Sequence, residues 1–128
     1  MKKLFLILVI VIFIIACNRN EQKRILEDKH VVAYLKKNGD KLIDPREVFH
    51  WIYFKTEEDA ENFKKEAEKE KFIFVSKRKV EDSYPFQIQL KRVDKVDLKS
   101  VNEYSLLLLE LAEKHNGDYD GWETSVEK

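Results

Sequence analysis

The sequence predicts an α+β sandwich, in which an antiparallel sheet is covered on one face by two helices, and three observations support it. Only three glycines and two prolines occur among the 128 residues, so most of the chain should form regular elements. Phe86, Ile88 and Leu90 alternate with polar residues, which is typical of a strand with one buried face. Two further segments carry apolar residues at helical spacing among charged ones, which indicates amphipathic helices.

The first 17 residues have the layout of an export signal. Lys2 and Lys3 form a positive head, 13 apolar residues follow from Leu4 to Ala16, and Cys17 comes next. A small residue followed by cysteine resembles the lipobox of bacterial lipoproteins, which predicts cleavage after Ala16 and lipid on Cys17. A transmembrane helix needs roughly 20 apolar residues, so this run is too short to span a bilayer comfortably.

An ordinary secretory signal and an uncleaved anchor are the alternatives to lipidation of Cys17. An ordinary signal needs no cysteine at the cleavage site, and a lone exported thiol has no disulfide partner, so lipidation is favoured. We therefore expect a lipoprotein of the bacterial cell envelope, held by fatty acyl chains such as palmitate on the extracytoplasmic side of a membrane. The chain divides into a signal peptide (1–16), a lipidated tether with a short helix (17–47) and one compact domain (48–128).

The segment before the domain is polar at first and then apolar at roughly helical spacing, which predicts a tether followed by a short helix. Asn38-Gly39-Asp40 supplies a helix stop, and Pro45 cannot lie in a helix interior. The apolar positions of the predicted helix are Ile25, Leu26, Val31, Val32 and Leu35.

The first half of the domain predicts a strand and then a helix. The aromatic and apolar run at 49–54 suits a strand. Thr56 can cap a helix that begins with acidic residues, since negative charge is favourable at a helix N-terminus. Ala60, Phe63 and Ala67 share one face of this helix.

The second half predicts two strands, a helix and a last strand. Strands at 72–79 and 86–91 flank a hairpin loop at 81–83. Asp97 or Ser100 can cap the second helix, and Asn116-Gly117 ends it with a left-handed residue. The last strand covers 119–126, with Gly121 marking a bulge. Seven positions form the buried face of the second helix: Leu98, Val101, Tyr104, Ser105, Leu108, Leu111 and Ala112.

The order strand, helix, strand, strand, helix, strand is the split βαβ pattern of a ferredoxin-like sandwich. Right-handed crossovers place the first and third strands in the centre, with both helices on one face. The other face is expected to lie open or to meet the N-terminal helix. Trp51 and Tyr53 alternate with Ile52 and Phe54, so one aromatic pair should point away from the two helices.

Charge and motif content argue against nucleic-acid binding and catalysis. The chain has 24 basic and 24 acidic residues, and loss of Lys2 and Lys3 with the signal leaves it slightly acidic, whereas proteins that neutralise phosphates are basic. His30, His50 and His115 lie on different elements without metal-ligand spacing. No nucleophile elbow or phosphate-binding glycine loop is present, so we expect no enzyme, cofactor or small-molecule substrate.

A calcium site is a further alternative. The segment from Asn116 to Glu127 places Asp118, Asp120 and Gly121 at positions that nearly satisfy an EF-hand loop. The chain stops at Lys128 without an exit helix, and Glu123 stands where such loops use an apolar residue. An enzyme or metal site around Asp118 and Asp120 therefore carries little weight.

The exposed aromatic pair has two interpretations. An open sheet with aromatics resembles the base-stacking platform of RNA-recognition domains. The basic surround of such domains is missing, so Trp51 and Tyr53 are expected to contact the N-terminal helix or a protein partner. Trp122 could likewise lie in the core or on a contact surface, and we expect it in the core.

The stretch Asp118-Tyr119-Asp120-Gly121-Trp122-Glu123-Thr124, following the helix that ends near His115, resembles the closing signature of the ribonuclease E inhibitor family RraB, the regulators of ribonuclease activity B. The strand His50–Phe54 and the helix start Thr56–Ala60 are similar to that family's first strand and helix. The resemblance implies a ferredoxin-like domain without catalytic residues that binds a ribonuclease and restrains RNA decay. It also makes Tyr119, Asp120, Gly121 and Trp122 signature residues.

Together these observations lead to one main functional hypothesis and one alternative. The main hypothesis is a lipid-anchored envelope protein whose RraB-like domain binds an unidentified protein without catalysis, through its sheet surface or an edge. The alternative is a regulator of ribonuclease E, which requires the signal to stay uncut and the domain to remain in the cytoplasm.

Overall fold

The computed structural model describes the backbone of residues 2–128 and the side chains of residues 19–128. The predicted α+β class and element order are confirmed. The predicted signal peptide and the side chain of Cys17 lie outside the residues described at this level. The elements are α1 (Lys2–Lys37), β1 (Arg46–Phe54), α2 (Glu57–Lys69), β2 (Ile73–Lys79), β3 (Phe86–Asp94), α3 (Leu98–Lys114) and β4 (Gly117–Thr124).

The four strands form one antiparallel sheet in the order β2-β3-β1-β4. The first and third strands are therefore central, as the ferredoxin-like topology predicted. β1 pairs with β3 over its whole length, from Arg46 opposite Asp94 to Phe54 opposite Phe86. Odd and even residues of β1 thus face opposite sides of the sheet.

Both domain helices begin at predicted caps. The Thr56 hydroxyl oxygen accepts the N–H of Asp59 at 3.1 Å, and a carboxylate oxygen of Asp97 accepts the N–H of Ser100 at 3.1 Å. These side chains satisfy N–H groups that have no partner inside the first helical turn. The buried face of α2 consists of Ala60, Phe63 and Ala67, as its spacing predicted.

The core lies between one face of the sheet and three helices. Phe54, Phe63 and Leu108 are fully buried in it. Val32 and Leu35 of α1 belong to the same core, so α1 packs beside α3 and not against the other face of the sheet. The chain is helical from Arg19 to Lys37, where the sequence predicted a tether before a short helix. No helix within residues 19–128 covers the opposite face of the sheet, and we call it the open face.

The turn between α3 and β4 contains the predicted left-handed residue. Asn116 has φ 57°, a conformation that asparagine tolerates better than most residues. Gly117 is required for a different reason, because a Cβ there would lie 2.3 Å from Cε1 of Phe54. Glycine allows the start of β4 to approach the central strand over this buried ring.

A bulge in β4 determines which signature side chains face the core. Gly121 pairs with Trp51 and Tyr119 pairs with Ile52, so Asp120 is an extra residue without a register partner. Gly121 has φ 150°, and the predicted bulge is confirmed. Residues three apart in a regular strand face opposite sides, but the extra residue turns Tyr119 and Trp122 to the same, helical side.

A buried ion pair closes the end of the sheet where β1 begins. The guanidinium of Arg46 binds both carboxylate oxygens of Asp40 and donates to the carbonyl of Ser125 at 3.0 Å. Asp40 also accepts the N–H of Leu42 at 2.8 Å and the N–H of Glu127 at 3.0 Å. These bonds join the loop after α1, the start of β1 and the segment after β4.

Within residues 19–128, no helix is long and apolar enough to cross a membrane.

Candidate functional site

The centre of the open face is aromatic. Phe49, Trp51 and Tyr53 project from β1 onto this side and are half-buried, while their neighbours in sequence enter the core. On β3 they lie beside Gln89 and Gln87, which pair with Trp51 and Tyr53. The structure thus places Trp51 and Tyr53 together on the outward face, where the sequence predicted an aromatic pair.

Hydrogen bonds hold this surface in place. The side-chain amide of Gln87 donates to the hydroxyl of Tyr53 at 2.7 Å, and the guanidinium of Arg78 donates to the other end of Gln87 at 3.2 Å. Lys91 bonds to Glu47 across β3 and β1 at 3.0 Å. Because these bonds fix the side chains before any partner arrives, less conformational entropy is lost on binding.

A shallow groove of about 360 Å³ runs beside Trp51. Within it, Gly121 of β4 stands opposite Trp51 of β1. Its walls are Trp51, Tyr53, Gln87, Asp120, Gly121, Trp122 and Glu123.

The two margins of the open face differ in character. Asp118, Asp120 and Glu123 make the margin along β4 acidic. Burial raises the pKa of Asp118, and the nearby charge of Asp120 raises it further. The margin along β2 and β3 is apolar and basic, with Ile73 56% and Val93 62% exposed.

Two of the four signature residues are not on this surface. Tyr119 is 5% exposed and Trp122 is 7% exposed, and both point into the core. Asp120 is exposed, and Gly121 lines the groove. Trp122 borders the groove, but its indole N–H donates to buried Asp28, so Asp120 and Gly121 are the signature residues best placed for direct contact from outside.

Trp122 and Asp28 belong to a buried polar network that joins α1 to α3 and β4. The indole N–H of Trp122 donates to Asp28 at 2.9 Å, the guanidinium of Arg24 donates to the same carboxylate at 3.0 Å, and the hydroxyl of Ser105 donates to its other oxygen. Burial raises the pKa of Asp28, while these three donors and the charge of Arg24 oppose the rise. We call Arg24, Asp28, Ser105 and Trp122 the Asp28 network.

Tyr119 lies next to this network. Its hydroxyl is 2.7 Å from Nδ1 of His50, and the guanidinium of Arg24 lies over its ring at 5.2 Å. Burial lowers the pKa of His50 to about 3, and the charges of Arg92 and Arg24 add to the effect. His50 is therefore neutral and enclosed at physiological pH, which suits a structural role.

The network residues of α1 were not identified from the sequence. Arg24 and Asp28 stand four residues apart and continue the apolar stripe formed by Val32 and Leu35. Charged residues that continue an apolar stripe indicate a buried ion pair, so the sequence does carry a signal for the burial of Arg24 and Asp28.

The segment proposed as a calcium loop is the strand β4, so the loop that such a site needs is not formed. Among residues 19–128, no group of three or more histidine, cysteine or acidic side chains is placed to hold a metal ion.

Comparison with known proteins supports the assignment that the signature residues suggested. The family model described as RraB, regulator of ribonuclease activity B, matches residues 26–124. No curated protein matches the sequence significantly. The matched range takes in the last third of α1 and all of the domain through β4. The chain therefore belongs to the RraB family, the regulators of ribonuclease activity B.

Proposed function

We propose that this RraB-family domain binds another protein through its open face and performs no catalysis. The observation that carries the proposal is the row of half-buried aromatic side chains, Phe49, Trp51 and Tyr53, on a sheet face that no helix covers in the described part of the chain. Aromatic residues are enriched at the centres of protein interfaces, where they bury a large area with little loss of conformational freedom.

Two of the three histidines take part in packing contacts between elements. His50 is sealed in the core and stays neutral. His115 is 2.8 Å from Glu66, which also binds Lys114 at 2.6 Å, so it takes part in a surface ion cluster that joins α3 to α2. Both arrangements stabilise packing between elements, and neither lies on the open face.

Substitution of the half-buried aromatics of the open face tests the proposed interface. Trp51→Ala and Tyr53→Ala should each weaken partner binding by about tenfold or more, since truncation of a central aromatic commonly costs 1–2 kcal/mol or more of binding energy. Residues 18–128, which include the packed part of α1, are immobilised, partners are captured from envelope extract, and affinity for the recovered protein is measured by calorimetry.

The matched control is Tyr34→Ala, because Tyr34 is 61% exposed on α1, on the helical side of the molecule. It should bind as the wild type does. Equal losses in all three variants, or none in Trp51→Ala and Tyr53→Ala, would reject the open face as the binding surface.

We also propose that Cys17 is lipidated and that the domain lies outside the cytoplasm. The support is the order of Lys2-Lys3, 13 apolar residues and Ala16-Cys17. Cells grown with radioactive palmitate should label the wild-type protein, whereas Cys17→Ser should carry no label. An unlabelled wild type, or label that survives Cys17→Ser, contradicts lipidation.

Regulation of ribonuclease E is the second candidate, and the family match is the observation that favours it. This role requires the domain to remain in the cytoplasm. A reporter fused after Lys128 that is active only in the cytoplasm, together with inhibition of RNA cleavage by purified ribonuclease E, would favour it. A reporter active only outside would favour the envelope protein.

A further inference from the structure

The α1 helix enters the domain at one defined end, which we call the proximal end. Antiparallel pairing places Phe54, Lys79, Phe86 and Gly117 together at this end of the sheet. The loops that close it are 55–56, 80–85 and 115–116. The Asp40–Arg46 ion pair lies at the opposite, distal end.

Two hydrogen bonds align α1 along the domain. Asn20 donates to Glu113 at 3.0 Å, close to the end of α3, and Asp28 accepts from Ser105 two turns further on. The residue number rises along α1 from one bond to the next while the number of the contacted residue on α3 falls, so the two helices are antiparallel. The chain therefore comes in at the proximal end and runs toward the distal end.

Very little chain is left between Cys17 and the packed part of α1. Three residues lead from Cys17 to Asn20, and three residues span at most roughly 11 Å even when fully extended. Arg24 is then buried in the Asp28 network. A flexible tether of about 20 residues would instead allow separations of roughly 25 Å and free rotation.

We infer that the domain stands on the membrane with its proximal end against the phospholipid headgroups. The inference rests on the proposed lipidation of Cys17. Lipid chains at Cys17 enter the bilayer, and the short connection keeps the proximal loops at its surface. The distal end is then held away by the length of β1, nine residues, which corresponds to roughly 30 Å.

The charges at the proximal end are compatible with this contact. Three exposed lysines, Lys55, Lys79 and Lys114, are offset there by three exposed acids, Glu81, Asp82 and Glu113, so the end carries both signs and is not strongly repelled by phospholipid headgroups. Because the strands then run perpendicular to the membrane plane, the open face is perpendicular to that plane as well. A partner must therefore approach alongside the membrane rather than from above.

Site-specific labels on the lipidated protein test this orientation. The protein is isolated from membranes and reconstituted in vesicles of phosphatidylcholine and phosphatidylglycerol. Since acylation consumes the thiol of Cys17, Ser83→Cys and Lys41→Cys each offer one free thiol for a fluorophore. Both positions are exposed, Ser83 at the proximal end and Lys41 at the distal end. A nitroxide quencher on the lipid headgroups should quench the label at 83 at least threefold more than the label at 41.

The control is an insertion of about 20 glycine and serine residues between Asn18 and Arg19, which should make quenching at the two positions equal. Equal quenching without the insertion, in protein that sediments with the vesicles, overturns the orientation and leaves lipidation intact. Protein that carries no lipid and does not sediment with vesicles overturns both proposals.

Discussion

Replacement of Asp28 by alanine is expected to lower the free energy of unfolding by about 3–5 kcal/mol. The carboxylate is fully buried and accepts hydrogen bonds from Arg24, Ser105 and Trp122. Its removal leaves Arg24 with Glu27, at 3.1 Å, as its remaining acidic partner. It also leaves two other buried donors without their acceptor and opens a cavity between α1 and α3. Urea denaturation followed by far-UV circular dichroism measures the loss.

Glu21→Ala is the matched control for this substitution, because Glu21 is an exposed acid on the same helix. It should change the free energy of unfolding by less than about 0.5 kcal/mol. If Asp28→Ala were no more destabilising than Glu21→Ala, the Asp28 network would not hold α1 on the domain.

Replacement of Asp40 by alanine is expected to produce a loss of similar size, about 3–5 kcal/mol, because Arg46 would remain buried without its counter-ion. The backbone N–H groups of Leu42 and Glu127 would lose their acceptor as well. Asp44→Ala serves as the control, since Asp44 is an exposed acid of the same loop and should have little effect.

The Asp40 pair also gives stability a defined pH dependence. Hydrogen bonds from Arg46 lower the pKa of Asp40 from its ordinary value of 3.8 to about 2. The unfolded chain therefore takes up a proton before the folded protein does, and the stabilisation present above pH 4 is lost as pH falls toward 2. Urea denaturation measures the free energy of unfolding at pH 4 and at pH 2.5. Between these two pH values the free energy of unfolding should fall less in Asp40→Ala than in the wild type. An equal decrease would contradict this origin.

Much of the fold could be predicted because its determinants are local. The alternation of Phe86, Ile88 and Leu90 identified a strand with one buried face, and the hydroxyl of Thr56 identified the start of a helix. Gly121 marked the bulge because few other residues adopt its backbone conformation. Each of these features is decided by a residue and its immediate neighbours.

The position of α1 and the burial of Tyr119 could not be predicted in the same way. The partners of Arg24 and Asp28 lie 77 to 96 residues further along the chain, so residues that form a buried network looked like a polar tether. The side to which Tyr119 points depends on the bulge beside it, and the need for Gly117 depends on contact with Phe54. The aromatic face was predictable because strand alternation alone separates Trp51 and Tyr53 from Ile52.

The Asp28 network has a consequence for the order in which the molecule acquires its structure. Asp28 accepts a hydrogen bond from the indole of Trp122, which lies 94 residues further along the chain. The first helix therefore cannot complete its packing until Trp122 has been synthesised. Val32 and Leu35 stay uncovered during that interval, and contacts of such long sequence separation form slowly. A nascent chain of this protein is therefore vulnerable to aggregation and proteolysis until its last strand has emerged.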